Sequence, residues 1–258
     1  MKFAVTVGLK GSGHLSVQAQ KWAAALGAPY ILRPHKGTLQ ELLVAEELDA
    51  LLIATAVGPQ IFSREGRLFF HPGMAVLRLQ RLEAGSTDHF VQALGLRAGT
   101  RVLDCTLGLG SDAIVAAHVC GSQGQVVGLE ASKPLWFTVT QGLQAYKAED
   151  ANVNTAMRRI KTVNTLALTY LLMQPNDSFD VVYFDPMFKL PVKASSNMQP
   201  LRPVACELPL TTEVLTEALR IAPLVVVKET SRQVFTALGI TKVLGGRYSK
   251  IKYGIMRR

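Results

Sequence analysis

The chain has 258 residues, 48% hydrophobic and 18% charged, enough to bury a substantial core and too apolar for a disordered chain. No stretch approaches the roughly 18 continuous apolar residues of a membrane helix, and the three cysteines (Cys105, Cys120, Cys206) lack CxxC or Cys/His spacing, which argues against structural zinc, any other metal centre or a disulfide scaffold. The formal net charge is +9, and from Lys228 onward eight basic residues accompany a single acid, Glu229, the footprint of a polyphosphate partner such as nucleic acid.

The N-terminus is too short in apolar residues and too quickly charged for a secretion signal, so a cytoplasmic address is expected. Residues 1–70 read as a small α/β domain. Phe3–Val7 is a strand, Ser16–Leu26 a helix stopped by Gly27, Thr38–Glu47 a second helix and Leu51–Ala54 a buried strand. Ile61–Ser63 and Leu68–Phe70 flank Arg64-Glu65-Gly66 as a hairpin. Residues 71–98 form a connection, with a helix from Pro72 to Glu83 whose apolar face is expected to be Met74, Leu77 and the stem of Arg81.

From 99 to 258 strands and helices alternate. The expected strands are Arg101–Cys105, Gln125–Leu129, Ile160–Val163, Phe179–Phe184 and Leu224–Val227, with helices near 111–119, 134–146, 165–173, 211–221 and 231–238. Ile240–Leu244, a Gly245-Gly246 turn and Ser249–Met256 close the chain as a hairpin. The fold class is therefore α/β: a doubly wound, mostly parallel seven-stranded sheet with a terminal antiparallel hairpin, preceded by the small α/β domain.

The first of these strands runs into Asp104-Cys105-Thr106-Leu107-Gly108-Leu109-Gly110-Ser111-Asp112, a glycine-punctuated turn opening a helix. Glycines let the backbone approach a ligand, and a helix start offers free N–H groups. The full GxGxxG pattern fails at Ala113, and no P-loop Gly-Lys-Ser/Thr follows. Asp104 would repel a pyrophosphate but suit an ammonium group, and Glu130, ending the next strand, would accept the hydrogens of a ribose diol. Acid on both sides of the glycines describes an adenosyl-amino-acid pocket, hence S-adenosylmethionine. Asp112 has the alternative role of a first-turn helix acid.

The fourth strand leads into Asp185-Pro186-Met187-Phe188. In a doubly wound sheet the first and fourth strands flank the switch point, so Asp104, Gly108 and Asp185 converge on one crevice. An exocyclic base amine is a poor nucleophile because its lone pair is delocalised into the ring. Asp185 and the backbone carbonyl before Pro186 would accept its hydrogens and aim that lone pair, while Phe188 stacks on an unstacked base. Lys228, at the end of the fifth strand, would neutralise a phosphate near the target or serve as a solvated strand end. Lys250 and Lys252 would extend the RNA surface.

Three segments carry a resemblance: Leu103–Asp112, Val182–Phe188 and Val225–Lys228. Over about residues 70–240 the chain resembles class I S-adenosylmethionine-dependent methyltransferases of the ribosomal small-subunit RNA guanine-N2 methyltransferase type. Phe70-His71-Pro72-Gly73-Met74 is similar to an uncharacterised Firmicute-like branch of that family. The resemblance implies that Ser111, Asp112, Glu130, Ala131, Asn164, Thr165 and Asp185 fall in the cofactor pocket, and that small-subunit rRNA is the partner. Ser111 departs from the characterised branch, which usually carries Arg there, and residues 1–70 do not match that branch. A DNA adenine-N6 methyltransferase shares the Asp-Pro-x-aromatic chemistry, although nothing long enough for a duplex-reading region follows Phe188. A non-catalytic RNA-binding module is the remaining alternative, and the retained Asp104, Glu130 and Asp185 speak against it.

Overall fold

The protein is described by a computed structural model over residues 1–8, 13–33, 37–186, 204, 208–246 and 249–258. It divides into two compact units, one built on Met1–His71 together with Ser132–Tyr146, the other on Pro72–Ala131 and the greater part of the chain after Lys147.

The first unit opens with β1 (Phe3–Val7), α1 (Gly13–Leu26) and α2 (Leu39–Ala45), followed by β2 (Ala50–Thr55), β3 (Gly58–Ser63) and β4 (Gly66–Phe69). The sheet order is β1-β2-β3-β4, parallel between the first pair and antiparallel thereafter. The central strand β2 reads Ala-Leu-Leu-Ile-Ala-Thr and is buried on both faces, which is why it lacks polar alternation. A capping box fixes the start of α2: the Glu41 N–H donates to Thr38 Oγ (3.1 Å) and the Thr38 N–H to Glu41 Oε2 (2.7 Å).

The second unit begins with α3 (Gly73–Glu83) and α4 (His89–Leu94), then β5 (Arg101–Asp104), α5 (Ser111–Cys120) and β6 (Gln125–Glu130). The next helix, α6 (Lys133–Ala145), belongs to the first unit, where it packs against β3. There the Phe137 and Trp22 rings meet edge to face at 5.2 Å, and Lys133 Nζ donates to the Leu26 carbonyl at the end of α1 (3.0 Å). The second unit resumes with α7 (Ala151–Arg159), β7 (Ile160–Asn164), α8 (Ala167–Leu172), β8 (Val181–Phe184), α9 (Thr212–Ile221), β9 (Leu224–Glu229), α10 (Arg232–Ala237), β10 (Lys242–Leu244) and β11 (Lys252–Arg257).

Its seven strands run β10-β11-β9-β8-β5-β6-β7, with β5 through β9 parallel and β11 antiparallel to both neighbours. The chain moves from β5 outward through β6 to β7, then restarts beside β5 at β8 and moves the other way, so a crevice opens at the carboxyl ends of β5 and β8. The doubly wound sheet and the terminal hairpin are both as the sequence predicts.

Three details differ. The buried face of α3 is Ala75 and Leu79, an i,i+4 pair, whereas Met74 is 66% exposed and Leu77 52% exposed. Both α4 and α7 are additional to the expected elements; each begins at an aspartate N-cap, Asp88 and Asp150. The basic C-terminus is not one pole. Lys252 pairs with Glu229 at the carboxyl end of β9 and Arg257 with Leu224 at its amino end, which sets them about 17 Å apart along the strand. Arg258 at the far end pairs with Asp177 and donates to the Arg220 carbonyl (3.2 Å).

Gly142 of α6 lies where a Cβ would collide with the buried ring of Phe70. Gly142→Ala gains about 0.5–1 kcal/mol of helix preference, but forcing the ring aside costs about 1–3 kcal/mol. The expected net is a destabilisation of up to about 2.5 kcal/mol, read as a lower urea midpoint at unchanged slope.

Candidate active site

The turn after β5 is tied to the strands on both sides of it. The Cys105 N–H donates to the Tyr183 carbonyl of β8 (2.9 Å), and the Leu107 N–H to the Leu129 carbonyl of β6 (2.9 Å). Gly108 and Gly110 have φ of 52° and 78°, the left-handed region that strains any residue with a side chain, and Gly110 is the N-cap of α5. The Gly108 N–H donates to Glu130 Oε2 (3.2 Å), so the carboxylate ending β6 holds the turn. Asn164, at the end of β7, donates from Nδ2 to the carbonyls of Glu130 (2.8 Å) and Ala131 (3.2 Å), and the Thr165 N–H donates to the Glu130 carbonyl (3.2 Å). Asp104, Thr106, Gly108, Gly110, Ser111, Glu130, Ala131, Asn164 and Thr165 are thus brought together along the carboxyl ends of β5, β6 and β7.

Asp104 is 2% exposed, and its Oδ1 accepts the Thr106 N–H (3.0 Å). Burial pushes its carboxyl up to about 8. The Thr106 N–H opposes the rise, the negative charges of Asp112 and Asp185 add to it, and Lys228 counters them. A carboxyl in this condition is largely neutral near pH 7, and a cation brought beside it would draw it into the charged form. With a second buried carboxylate at Glu130 and a glycine turn between them, the acceptor groups fit the hydrogens of an amino-acid ammonium and a ribose diol.

On the other side of the crevice stands Asp185, directly after β8. Lys228 of β9 donates from Nζ to Asp185 Oδ2 (2.7 Å) and to Asp112 Oδ2 (3.2 Å). Asp112 also accepts the Tyr183 hydroxyl (2.8 Å) and pairs with Arg78 Nη1. Arg78 in turn grips Asp88 through Nε (2.8 Å) and Nη2 (3.1 Å), and its guanidinium lies 5.2 Å from the centre of the Phe90 ring. One continuous chain of charge, Asp88–Arg78–Asp112–Lys228–Asp185, therefore links α3, α4, α5, β8 and β9.

Burial alone would raise all three of these carboxyls. Lys228 and Arg78 overcome it at Asp112, and Arg78 overcomes it at Asp88, so both sit below the usual carboxylate range. At Asp185 burial, helped by Asp112, outweighs the pull of Lys228 and leaves the group at about 6. The Asp185 N–H donates to Thr106 Oγ (2.6 Å), so Thr106 joins the turn after β5 to the strand end that carries Asp185.

These contacts correct two expectations. Lys228 is neither a solvated strand end nor open to a phosphate: its side chain is 16% exposed and its ammonium is held between two carboxylates. Asp112 acts as an anchor for Arg78, Lys228 and Tyr183 rather than as a simple first-turn acid. Pro186 follows Asp185 in the structure, while Phe188 lies outside the described residues. Lys250 is exposed, and Lys252 Nζ donates to the Gly246 carbonyl (2.6 Å). Arg78 escaped the sequence reading. Its signal was a cation directly before Leu79 on an otherwise apolar helix face, and its partners lie 10 and 34 residues away.

Comparison with known proteins decides the family. A family model described as "Putative SAM-dependent methyltransferase" matches residues 68–237, more than half of the chain. The chain belongs to this family of S-adenosylmethionine-dependent methyltransferases. The methyltransferase is 37% identical over 219 residues to the uncharacterized protein YpiP of Bacillus subtilis, covering 84% of each. It is 33% identical over 172 residues to Ribosomal RNA small subunit methyltransferase J of Stutzerimonas stutzeri, covering 66% of this chain and 62% of that protein. Among solved structures, a SAM-dependent methyltransferase from Neisseria gonorrhoeae superposes with a TM-score of 0.65 at 16% identity, covering 98% of this chain and 95% of that one, a likeness of fold. The enzyme's cofactor is S-adenosylmethionine. No helix among the described residues is long and apolar enough to cross a membrane.

The raised Asp104 carboxyl makes stability pH-dependent. The folded protein keeps a proton that the unfolded chain, at the ordinary 3.8, releases, so the stabilisation is complete below about pH 4 and is lost as pH rises towards about 8. Asp185, at about 6, contributes only to the lower part of this window. Asp104→Asn should flatten the fall between pH 6 and pH 8, measured as urea midpoints at each pH; a fall as steep as in the wild type would assign the titration elsewhere.

Proposed function

We propose that this methyltransferase modifies an exocyclic base amine of RNA, with guanine N2 of small-subunit ribosomal RNA as the acceptor, and that it works in the cytoplasm on that substrate. The observation that carries the reading is Asp185-Pro186 at the carboxyl end of β8, its carboxylate held by Lys228 and its backbone joined through Thr106 to the turn after β5. The relatives named Ribosomal RNA small subunit methyltransferase J support the choice of ribosomal RNA.

S-adenosylmethionine, when bound, supplies an electrophilic methyl on a sulfonium. Asp104 would take its ammonium and Glu130 its ribose diol, with Gly108 and Gly110 giving backbone access and Ser111, Ala131, Asn164 and Thr165 shaping the pocket. Asp112 holds Lys228 in place. Asp185 accepts an amine hydrogen as the nitrogen becomes tetrahedral, an interaction stronger in the transition state than in the ground state. Pro186 restricts the backbone of Asp185 before it, and the carbonyl of Asp185 can accept the second hydrogen. Phe188 is assigned to stacking on the base, and Lys250 at the same end of the sheet to a phosphate.

Asp185→Ala should lower turnover by about 100-fold or more, with cofactor affinity largely kept. Turnover should rise with pH through about 6 as Asp185 ionises. Because Lys228 favours the ionised form, Lys228→Gln should move that limb to higher pH, and an unmoved limb would refute its hold on Asp185. Calorimetric titration of Glu130→Ala should show a loss of about 1.5–3 kcal/mol in S-adenosylmethionine affinity. Nucleoside analysis of reacted RNA tests the acceptor: N2-methylguanosine supports the reading, N6-methyladenine in DNA would replace it, and a ribose 2′-O-methyl or carbon-methylated pyrimidine would overturn the role of Asp185.

A further inference from the structure

The unit built on Met1–His71 lies outside the methyl-transfer chemistry, yet one face of its sheet has the composition of a binding surface. On that face α2 packs over β2 and β3, where Leu39, Leu42 and Leu43 join Ala4, Leu51 and Ile53, with Phe62 half-buried against them. The same face continues over β3 and β4. There Phe62 pairs with Arg67 and Gln60 with Phe69, so the four side chains stand side by side. Phe69 is 52% exposed, and the Arg67 guanidinium lies over the Phe62 ring, 5.9 Å from its centre.

Next to this pair is a groove of about 300 Å³ lined by Arg33, Thr38, Gln40, Phe62 and Arg67. Arg33 Nε is buried there without a hydrogen-bond partner. The guanidinium of Arg33 is held below the ordinary arginine value, first by burial and then by the positive charge of Arg67. Glu41, the acid of the neighbouring cap, already accepts the Thr38 N–H through Oε2. Two like charges sharing one groove and an unpaired buried donor are both relieved by an anion with several acceptor oxygens. The guanidinium fork suits a phosphate in particular. Exposed aromatic rings on a sheet are platforms for unstacked bases. A free phosphate would account for the arginines but leave the Gln60–Phe69 strip unused.

We propose that this face binds single-stranded RNA, with Arg33 and Arg67 clamping a backbone phosphate and Phe69 stacking on a neighbouring base. The proposal rests on the RNA reading above and extends it to a second contact region on the first unit.

The test uses the full-length protein and a labelled single-stranded oligoribonucleotide of mixed sequence, titrated by fluorescence anisotropy across a salt series. The double variant Arg33→Gln/Arg67→Gln should bind about tenfold or more weakly, and its slope of log affinity against log salt should shrink by about 0.7, one phosphate's worth for a single strand. Phe69→Ala should weaken binding by about fivefold or more at unchanged slope. Arg67→Lys should keep most of the slope, because the charge remains. Calorimetric affinity for S-adenosylmethionine and the urea midpoint should match wild type in all three, which separates lost contacts from lost folding. Wild-type affinity and slope in the double variant would overturn the surface alone, since nucleoside analysis reports separately on the reaction. A silent Phe69→Ala, with displacement of the RNA by inorganic phosphate at constant ionic strength, would reassign the groove to free phosphate. Wild-type protein that binds no RNA, together with no methylated ribonucleoside, would remove both readings.

Discussion

The crevice beside β5 and β8 depends on one buried ammonium. Asp104, Asp112 and Asp185 approach one another at the carboxyl ends of β5 and β8 and the start of α5, and without a cation among them burial and mutual repulsion would drive all three towards the neutral form. Lys228, reaching over from β9, keeps Asp112 charged and Asp185 within reach of ionisation near neutrality. Arg78 does the same for Asp112 from the other side and carries the linkage on to Asp88, the N-cap of α4. Buried ion pairs contribute little net stability when compared with well-packed apolar residues, whereas removing one member leaves an uncompensated charge. The value of this chain of charge is therefore geometric. It fixes where Asp185 points and which protonation state it holds, using five separate secondary-structure elements that would otherwise adjust independently.

The two halves of the crevice also share a single hydroxyl. Thr106 donates its N–H to Asp104 and accepts the N–H of Asp185, so the turn that follows β5 and the chain that leaves β8 have one registration between them. A methyl transfer needs two reactants held in line, and most of the rate advantage comes from that positioning. In the proposed mechanism, tying the turn after β5 directly to Asp185 accomplishes it with short, stiff connections.

Much of this was legible in the sequence, for definite reasons. The parallel strands are buried on both faces, so Val225–Val227 and Val181–Phe184 read as uninterrupted apolar runs, and glycines at Gly108 and Gly110 marked the turn because left-handed backbone demands them. The face of α3 was misread because Met74, Leu77 and Arg81 also fit a helical repeat; the small Ala75 gave no hint that it was the residue pressed inward. The direction of the Lys228 ammonium and the partners of Arg78 depend on contacts between residues 10 to 116 positions apart, which periodicity does not encode. The basic tail was misjudged for a related reason. A count of charges carries no register, and an antiparallel strand distributes its residues along the full height of the sheet.

The placement of α6 bears on how the chain emerges during synthesis. Its apolar side chains, among them Leu135, Phe137, Val139 and Leu143, are buried, and through Phe137 and Lys133 it engages α1 of the unit made mostly from the first 71 residues. Domains generally fold in order from the N-terminus as they leave the ribosome. Here the segment up to residue 71 must wait until residue 146 has emerged, by which time β5, α5 and β6 are already outside. Residues 1–71 alone therefore do not complete their unit, and a nascent chain halted between residues 71 and 132 would expose the apolar surface that α6 is destined to cover.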